Sequence, residues 1–428
     1  MIAEKQFAPN ARTIPHLRWY ICGLLFFATT VNYIDRQVLG ILKPVLEKQM
    51  NWSEADFGWM LSAFNAAYAL MMPLAGRLMD WIGTRLGYAW AVLLWTVAAM
   101  AHSLAGTAMQ FSIARFCLGI GEAANFPAAI KTVADWFPKR ERALATGIFN
   151  SGSNVGAILA PLMVPYLAAT FGWRSAFLVT GSLGFLWIVA WLALFYQPAE
   201  HKRLSAEERQ LIASDREEDA PRKVKYAKLL GKRAAWAFLA GKFLTDPIWW
   251  FYLYWTPGFL NREYGLDLTQ LGPPLIVIYL LADAGSVGGG WLSSALLKRG
   301  WSLTAARKTA MFVCAVAVAP VSMLMFTGGH VWLAVALISL AASAHQGWSA
   351  NLFTLTSDVF PRSAVGSVVG LGGFGGAIGG MLVSPLIGYW LDFSHGAYGP
   401  LFVIAGLMYL LAWGVMHLLL PKLEPVEI

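Results

Sequence analysis

Ionisable side chains stand inside long apolar stretches of this chain at Asp35, Arg36, Arg115, Glu122, Lys131, Lys242, Asp246, Asp283 and His345. A charge at the centre of a bilayer costs about 2.5 to 3.5 kcal/mol or more, so such residues face a wet cavity or a partner. Asp35 and Arg36 are neighbours, and on a helix they point about 100° apart, which divides their labour. The guanidinium is always charged and can grip a carboxylate through two parallel hydrogen bonds, so Arg36 suits an organic anion. The carboxyl of Asp35 suits proton carriage. An ion pair that only locks packing is the alternative for each. Arg115 and Glu122 lie two turns apart on one face, too far to touch along the helix. Both can reach a cavity shared with the first span, and Arg115 is placed to pair with Asp35. An apolar, glycine-rich setting disfavours the charged form of Glu122, which lets it load and release a proton; a neutral Glu bonded between helices is the bland alternative. Lys131 is expected to snorkel. Lys242 and Asp246 have the spacing of a mutual ion pair and read first as scaffold.

The elements that position these groups follow from composition. The chain has 428 residues, of which 57% are hydrophobic and 13% charged, whereas soluble domains carry about 25% charged residues. Apolar blocks of roughly 20 residues, each long enough to cross a bilayer, recur from Trp19 to Leu420. They segment into twelve spans near 19–45, 55–79, 86–106, 108–131, 141–168, 174–196, 236–260, 272–297, 307–327, 330–357, 363–391 and 398–420. Continuous apolar runs such as Phe312 to Phe326 exclude a β-barrel, whose strands alternate. Lys and Arg concentrate in every second gap, which predicts cytoplasmic termini, and this pattern explains the formal charge of +8 without nucleic acid. The segment before Trp19 lacks the short apolar region of a cleaved leader, so the first span is expected to stay. Cys22, Cys117 and Cys314 fall inside spans, so neither a disulfide framework nor a metal site is expected.

Residues 197–235 are rich in Glu, Lys and Arg and divide the spans six and six. The expected organisation is a cytoplasmic segment 1–18, a six-helix bundle 19–196, a charged and partly helical cytoplasmic linker 197–235, a second bundle 236–420 and a tail 421–428. The halves share internal similarity. Asp135-Trp-Phe-Pro138 matches Asp358-Val-Phe-Pro361, Gly147 matches Gly370 and Gly156 matches Gly379, all at one offset, and His345 falls at the repeat position of Glu122. Parallel repeats of this kind recur in secondary transporters, with the substrate site at their interface.

Gly76-Arg-Leu-Met-Asp80-Trp-Ile-Gly83-Thr-Arg85 resembles the signature loop of the major facilitator superfamily, and Gly290 to Arg299 resembles its degenerate second copy. Asn32-Tyr33-Ile-Asp35-Arg36, Arg115 with Glu122-Ala-Ala-Asn-Phe-Pro127, and Trp136 to Arg142 are similar to the anion:cation symporters of that superfamily. The runs Trp249 to Pro257 and His345 to Asp358 look most like its hexuronate transporters. The resemblance implies an all-α polytopic membrane protein of two homologous six-helix bundles, in a bacterial inner membrane. It implies import of a small sugar-acid anion by alternating access, coupled to protons in preference to sodium, with no other cofactor. Asp35 and Glu122 are then the proton-coupling residues. Tyr33, Arg36, Tyr68, Arg115, Asn154, His345, Gln346, Trp348 and Asn351 are the expected substrate-binding residues, with the carboxylate on the Arg-bearing half and the hydroxyls on the amide- and aromatic-bearing half. Gly76, Asp80, Gly83 and Arg85 are the expected gating residues. The glycines of span 11, from Gly370 to Gly380, serve close packing and a moving gate; no P-loop lysine follows them.

Two departures bear on the substrate. Where some sugar-acid relatives have an amide in span 11 this chain has Gly373-Phe374, and the Gln expected after Ser151-Gly152 is replaced by Ser153-Asn154, so Asn154 is expected to take that role. An aldonate or an aromatic carboxylate is the alternative cargo. A receptor or enzyme lacks support, since neither a metal-ligand set nor a Ser-His pair stands out. The chain is expected to act as a monomer.

Overall fold

The computed structural model describes residues 13–213 and 226–427, and no strand occurs among them. The first half comprises α1 (Leu17–Met50), α2 (Glu54–Ile82), α3 (Thr84–Ala101), α4 (Ala108–Glu122), α5 (Asn125–Trp136), α6 (Lys139–Phe171) and α7 (Trp173–Leu194). Two short helices, α8 (Ala206–Ala213) and α9 (Tyr226–Leu230), belong to the charged connection. The second half comprises α10 (Arg233–Tyr264), α11 (Gly272–Lys298), α12 (Leu303–Val318), α13 (Val331–Val359), α14 (Arg362–Phe393) and α15 (Gly399–Leu419). Helices α4 and α5 share one pass, and a 3₁₀ segment, Ala319–Phe326, completes the pass begun by α12, so twelve passes are present among the described residues.

Eight passes are apolar enough over a membrane-length window to qualify as spans by composition alone. The other four are α1, α2, α4 with α5, and α10; they carry Arg36, Tyr68, Arg115, Glu122, Lys242 and Asp246, and α4 and α5 are each too short alone to span. The lipid-facing surface is plain on the outer helices. Leu178, Val179, Leu186 and Val189 on α7, and Val403, Ile404, Leu407 and Leu411 on α15, are all exposed, as a hydrocarbon solvent allows.

The structure refines one span reading. The pass over 108–131 breaks at Ala123 and Ala124, directly after Glu122. Pro127 causes it: this residue has no N–H for the Ala123 carbonyl, and its ring crowds that carbonyl. By contrast α10 continues as one helix through both Pro247 and Pro257.

The repeat seen in the sequence is a repeat of packing. A Cβ at Gly156 of α6 would collide with the Thr30 carbonyl of α1, and a Cβ at Gly379 of α14 would collide with the Phe243 carbonyl of α10. Each half thus holds its fifth helix against its first by the same close approach.

The two halves meet tightly on the face opposite the chain ends. There α2 and α14 run side by side, with Ser62 Oγ donating to the Met381 carbonyl (2.8 Å) and Trp59 Nε1 to Tyr389 OH (2.9 Å). The Asp392 carboxylate, at the end of α14, accepts from the backbone N–H groups of Glu54 and Ala55, each at 2.8 Å. Those are the first two N–H groups of α2, and the Ser53–Asp56 capping box serves the next turn position. Every opening N–H of α2 therefore has an acceptor, two of them from the other half. Lys43 of α1 joins the seal, bonding Glu47 (2.7 Å) and Glu54 (2.9 Å), while Gly40 packs on Tyr254 of α10.

Candidate functional site

Arg36 lies midway along α1 and is buried. Its Nε donates to Glu122 Oε2 at 2.5 Å, with both side chains nearly sealed from solvent. Its guanidinium carbon sits 5.2 Å from the ring centroid of Tyr33, 5.2 Å from Phe64 and 4.9 Å from Tyr68. Three aromatic faces and one carboxylate therefore hold the cation, a combination that offsets its desolvation. The Glu122 bond uses only Nε. Arg36 Nη2 has no hydrogen-bond partner and Nη1 forms none among the described residues, so the end of the fork is unbonded.

Local packing explains the arrangement. Gly119 stands four residues after Arg115 and three before Glu122, on their shared face, and its missing side chain lets α4 close onto the Phe64 carbonyl of α2. That approach carries both charged residues to Arg36. Arg115 is fully buried, donates Nη2 to the Arg36 carbonyl at 3.0 Å, and lies 5.9 Å from the Phe64 ring. The expected Arg115–Asp35 pair does not form. Asp35 points away from Arg36, as neighbours on a helix must, and sits beside the Thr180 hydroxyl of α7 with neither carboxylate oxygen in hydrogen-bonding geometry. The two opposite charges lie within electrostatic reach, unbridged.

Tyr33, Arg36, Tyr68, Arg115 and Glu122 are thus brought together. Two further residues join them: Phe64, which was not singled out from sequence, and Tyr254 of the Trp249–Pro257 aromatic run, whose composition fits sugar-hydroxyl donors and a membrane-interface belt alike. Phe64 is one turn before Tyr68, so its place in the cage was readable from i, i+4 spacing. Tyr254 reaches Arg36, Arg115 and Glu122 electrostatically from α10, across the interface between halves. Only its position in an aromatic-rich run hinted at this.

The second-half candidates are placed differently. His345 Nδ1 bonds the Tyr409 hydroxyl, and its ring stacks on Trp249 with centroids 4.8 Å apart. Trp348 is fully buried against the Tyr409 edge, a core position and not a lining one. Asn351 Nδ2 donates to the Gly289 and Gly347 carbonyls, both at 2.9 Å, which ties α13 to α11. All three thus have partners within the second half and are not joined to the Arg36 cluster. Gln346 is half-buried and makes no hydrogen bond among the described residues. Asn154 accepts from its neighbour Ser153 Oγ (3.2 Å) and is not joined to the Arg36 cluster. Lys242 and Asp246 do pair, at 2.8 Å.

Of the gating residues, Gly83 takes a positive φ of 85° between α2 and α3, a conformation that favours glycine. Arg85 is held within its own half. Its Nε and Nη2 donate to the Phe195 and Leu192 carbonyls (2.8 and 2.5 Å), capping α7, and its guanidinium lies over the Tyr196 ring at 4.1 Å. The side chains of Gly76 and Asp80 lie outside the described residues.

Comparisons with known proteins agree with this architecture. The family model described as Major Facilitator Superfamily matches residues 25–384. The hexuronate transporter of Escherichia coli (strain K12) is 33% identical over 424 residues, 97% of each chain. The galacturonate transporter of Dickeya chrysanthemi is 34% identical over 65% of this chain and 82% of its own. Among solved structures, a D-xylose-proton symporter superposes with a TM-score of 0.74 at 16% identity, covering 95% of this chain and 99% of its own. A bacterial Spinster homologue in an inward-facing, unoccupied conformation gives 0.71 at 20% identity, covering 95% and 96%. A duplicated twelve-pass fold, a buried charged cluster at the meeting of its halves and a family match over most of the sequence agree, and the chain belongs to the major facilitator superfamily.

Proposed function

We propose that the protein is a proton-coupled symporter that imports a sugar-acid anion, a hexuronate, across the bacterial inner membrane, working as a monomer. The observation that carries this reading is the Arg36–Glu122 pair in its aromatic cage, with the end of the guanidinium fork unbonded. A substrate carboxylate binds that fork and competes with Glu122 for the cation. Protonation of Glu122 releases Arg36 to the substrate, and departure of the proton restores the ion pair and expels the anion. That exchange is symport. Tyr33 and Tyr68 offer ring faces and hydroxyls to a sugar, and the similarity to hexuronate and galacturonate transporters supports the choice of cargo. With the termini cytoplasmic, as the charge distribution predicts, the seal lies on the periplasmic face.

The test is uptake into proteoliposomes of glucuronate, galacturonate, galactonate and benzoate, with and without an inward proton gradient. Gradient-driven accumulation of hexuronates is expected. Glu122→Gln mimics the protonated state, so it binds and exchanges substrate yet loses accumulation; Asp35→Asn uncouples as well. Wild-type accumulation by both variants refutes the coupling assignment, and uptake indifferent to sugar acids refutes the cargo.

A further inference from the structure

A groove of ≈ 380 Å³ opens on the outer surface where the start of α12 meets the end of α15, on the chain-end face. That size falls within the range of small-molecule sites, about 300 to 1,000 Å³. Lys308, Phe312, Trp413, His417 and Pro421 are among its walls, and no carboxylate lines it among the described residues. Trp413 Nε1 donates to the Lys308 carbonyl (3.0 Å), its ring packs on Phe312 with centroids 5.0 Å apart, and the His417 ring stacks on it at 5.2 Å. Lys308 Nζ donates to His417 Nδ1 (3.0 Å) and to the Pro421 carbonyl (2.6 Å). An ammonium has three N–H groups and no lone pair. One N–H of Lys308 is therefore left over, and His417, accepting at Nδ1, carries its proton on Nε2 as a second donor without a partner among the described residues.

The cation has no acid of its own. Arg307, its neighbour, turns instead to Asp358 and to Ser293, each at 2.8 Å, whereas Lys308 has no carboxylate partner among the described residues. Snorkelling would carry the ammonium out to water; here two bonds hold it inside the groove. Its depth is set by helix geometry. The pass made of α12 and its 3₁₀ continuation is about 40 Å long, the thickness of a bilayer with its headgroups. Lys308 lies about 7.5 Å along α12 from Leu303, the level at which headgroups meet hydrocarbon. Further into the membrane Phe312, Val313 and Val316 of α12 and Leu411 of α15 are exposed.

We infer that this groove binds the phosphodiester headgroup of an anionic phospholipid, phosphatidylglycerol, from the leaflet on the chain-end side. The Lys308 ammonium and the His417 Nε2–H take the phosphate oxygens, and the Ser302 and Thr309 hydroxyls of the same lining serve the glycerol. The acyl chains run along the exposed apolar residues of α12 and α15. Phosphatidylethanolamine carries an ammonium that Lys308 repels and that no acid in the groove can pair, so the site selects net negative charge.

Native mass spectrometry of the purified, delipidated full chain tests this, with phosphatidylglycerol and phosphatidylethanolamine of matched acyl chains titrated onto wild type, Lys308→Met, Lys308→Arg and His417→Phe. Wild type is expected to hold one phosphatidylglycerol about tenfold more tightly than phosphatidylethanolamine, and Lys308→Met to lose that preference, the worth of one charge-assisted hydrogen bond. Lys308→Arg keeps the charge and is expected to keep the preference, which guards against a fold lost in Lys308→Met. His417→Phe retains a ring to stack on Trp413 and is expected to weaken phosphatidylglycerol about fivefold, the worth of one ordinary hydrogen bond. Equal affinity of wild type for the two lipids overturns the inference, as does a preference that survives in Lys308→Met or a loss as complete in Lys308→Arg. Displacement of the lipid by millimolar inorganic phosphate or glycerol 3-phosphate would reveal a site for a soluble anion and overturn the lipid assignment.

Discussion

Replacing Asp392 by Ala removes two acceptors and one negative charge from the start of α2. In the closed seal its carboxylate takes the Glu54 and Ala55 N–H groups at 2.8 Å. Losing a cap costs about 1 kcal/mol, and losing an anion at a helix N-terminus about another 0.5 kcal/mol at an exposed site. The contact joins different halves, so that cost of about 1.5 kcal/mol falls on the closed state and shifts its balance with the open state about tenfold. Spin labels at Lys48 on α1 and Phe393 on α14, both exposed, would read the change as a longer distance by double electron–electron resonance. Asp392→Asn, which keeps one acceptor without the charge, is expected to move the distribution less, and added salt to narrow the gap between wild type and Asn by screening the charge. An unchanged distribution in Asp392→Ala would show that the seal is held by the α2–α14 packing alone and refute the electrostatic account.

Three further outcomes follow from the same geometry. Gly388→Val puts a branched side chain against the Glu54 carbonyl and Ala55 backbone, so it should open the same face by overpacking, at a cost of about 1 to 3 kcal/mol, with a matching rise in labelling of a cysteine placed at Ser62. Arg36→Lys keeps the charge but not the fork, and substrate affinity measured by calorimetry should fall about tenfold or more; unaltered affinity would remove Arg36 as the anchor. Asp80→Asn should slow uptake while leaving equilibrium binding intact, and an equal loss of both would make that loop part of the binding site.

The passes were legible because apolar length is a property of the chain alone, and so was the pairing of Lys242 with Asp246, which share one helix. Partners on different helices were not. Arg36 finds Glu122, and Arg115 finds the Arg36 carbonyl, because Gly119 sets the depth at which α4 meets α2, and a glycine's contacts are invisible until the opposing helix is placed. Asp392 drew no attention for the same reason: an acid at a helix end looks like solvent decoration until another helix starts beneath it.

His345 occupies the repeat position of Glu122, yet the two side chains are held differently. In the first half Pro127 breaks the pass directly after Glu122, and that carboxylate lies at a helix end, against Arg36 of α1. Ala350 stands at the matching place in the second half, so α13 runs unbroken to Val359 and His345 stays within a regular turn, held by Tyr409 and Trp249. One proline therefore separates a carboxylate at a helix end from a histidine inside a regular turn. On α10, Lys242 and Asp246 form an ion pair of their own, away from the matching place on α13.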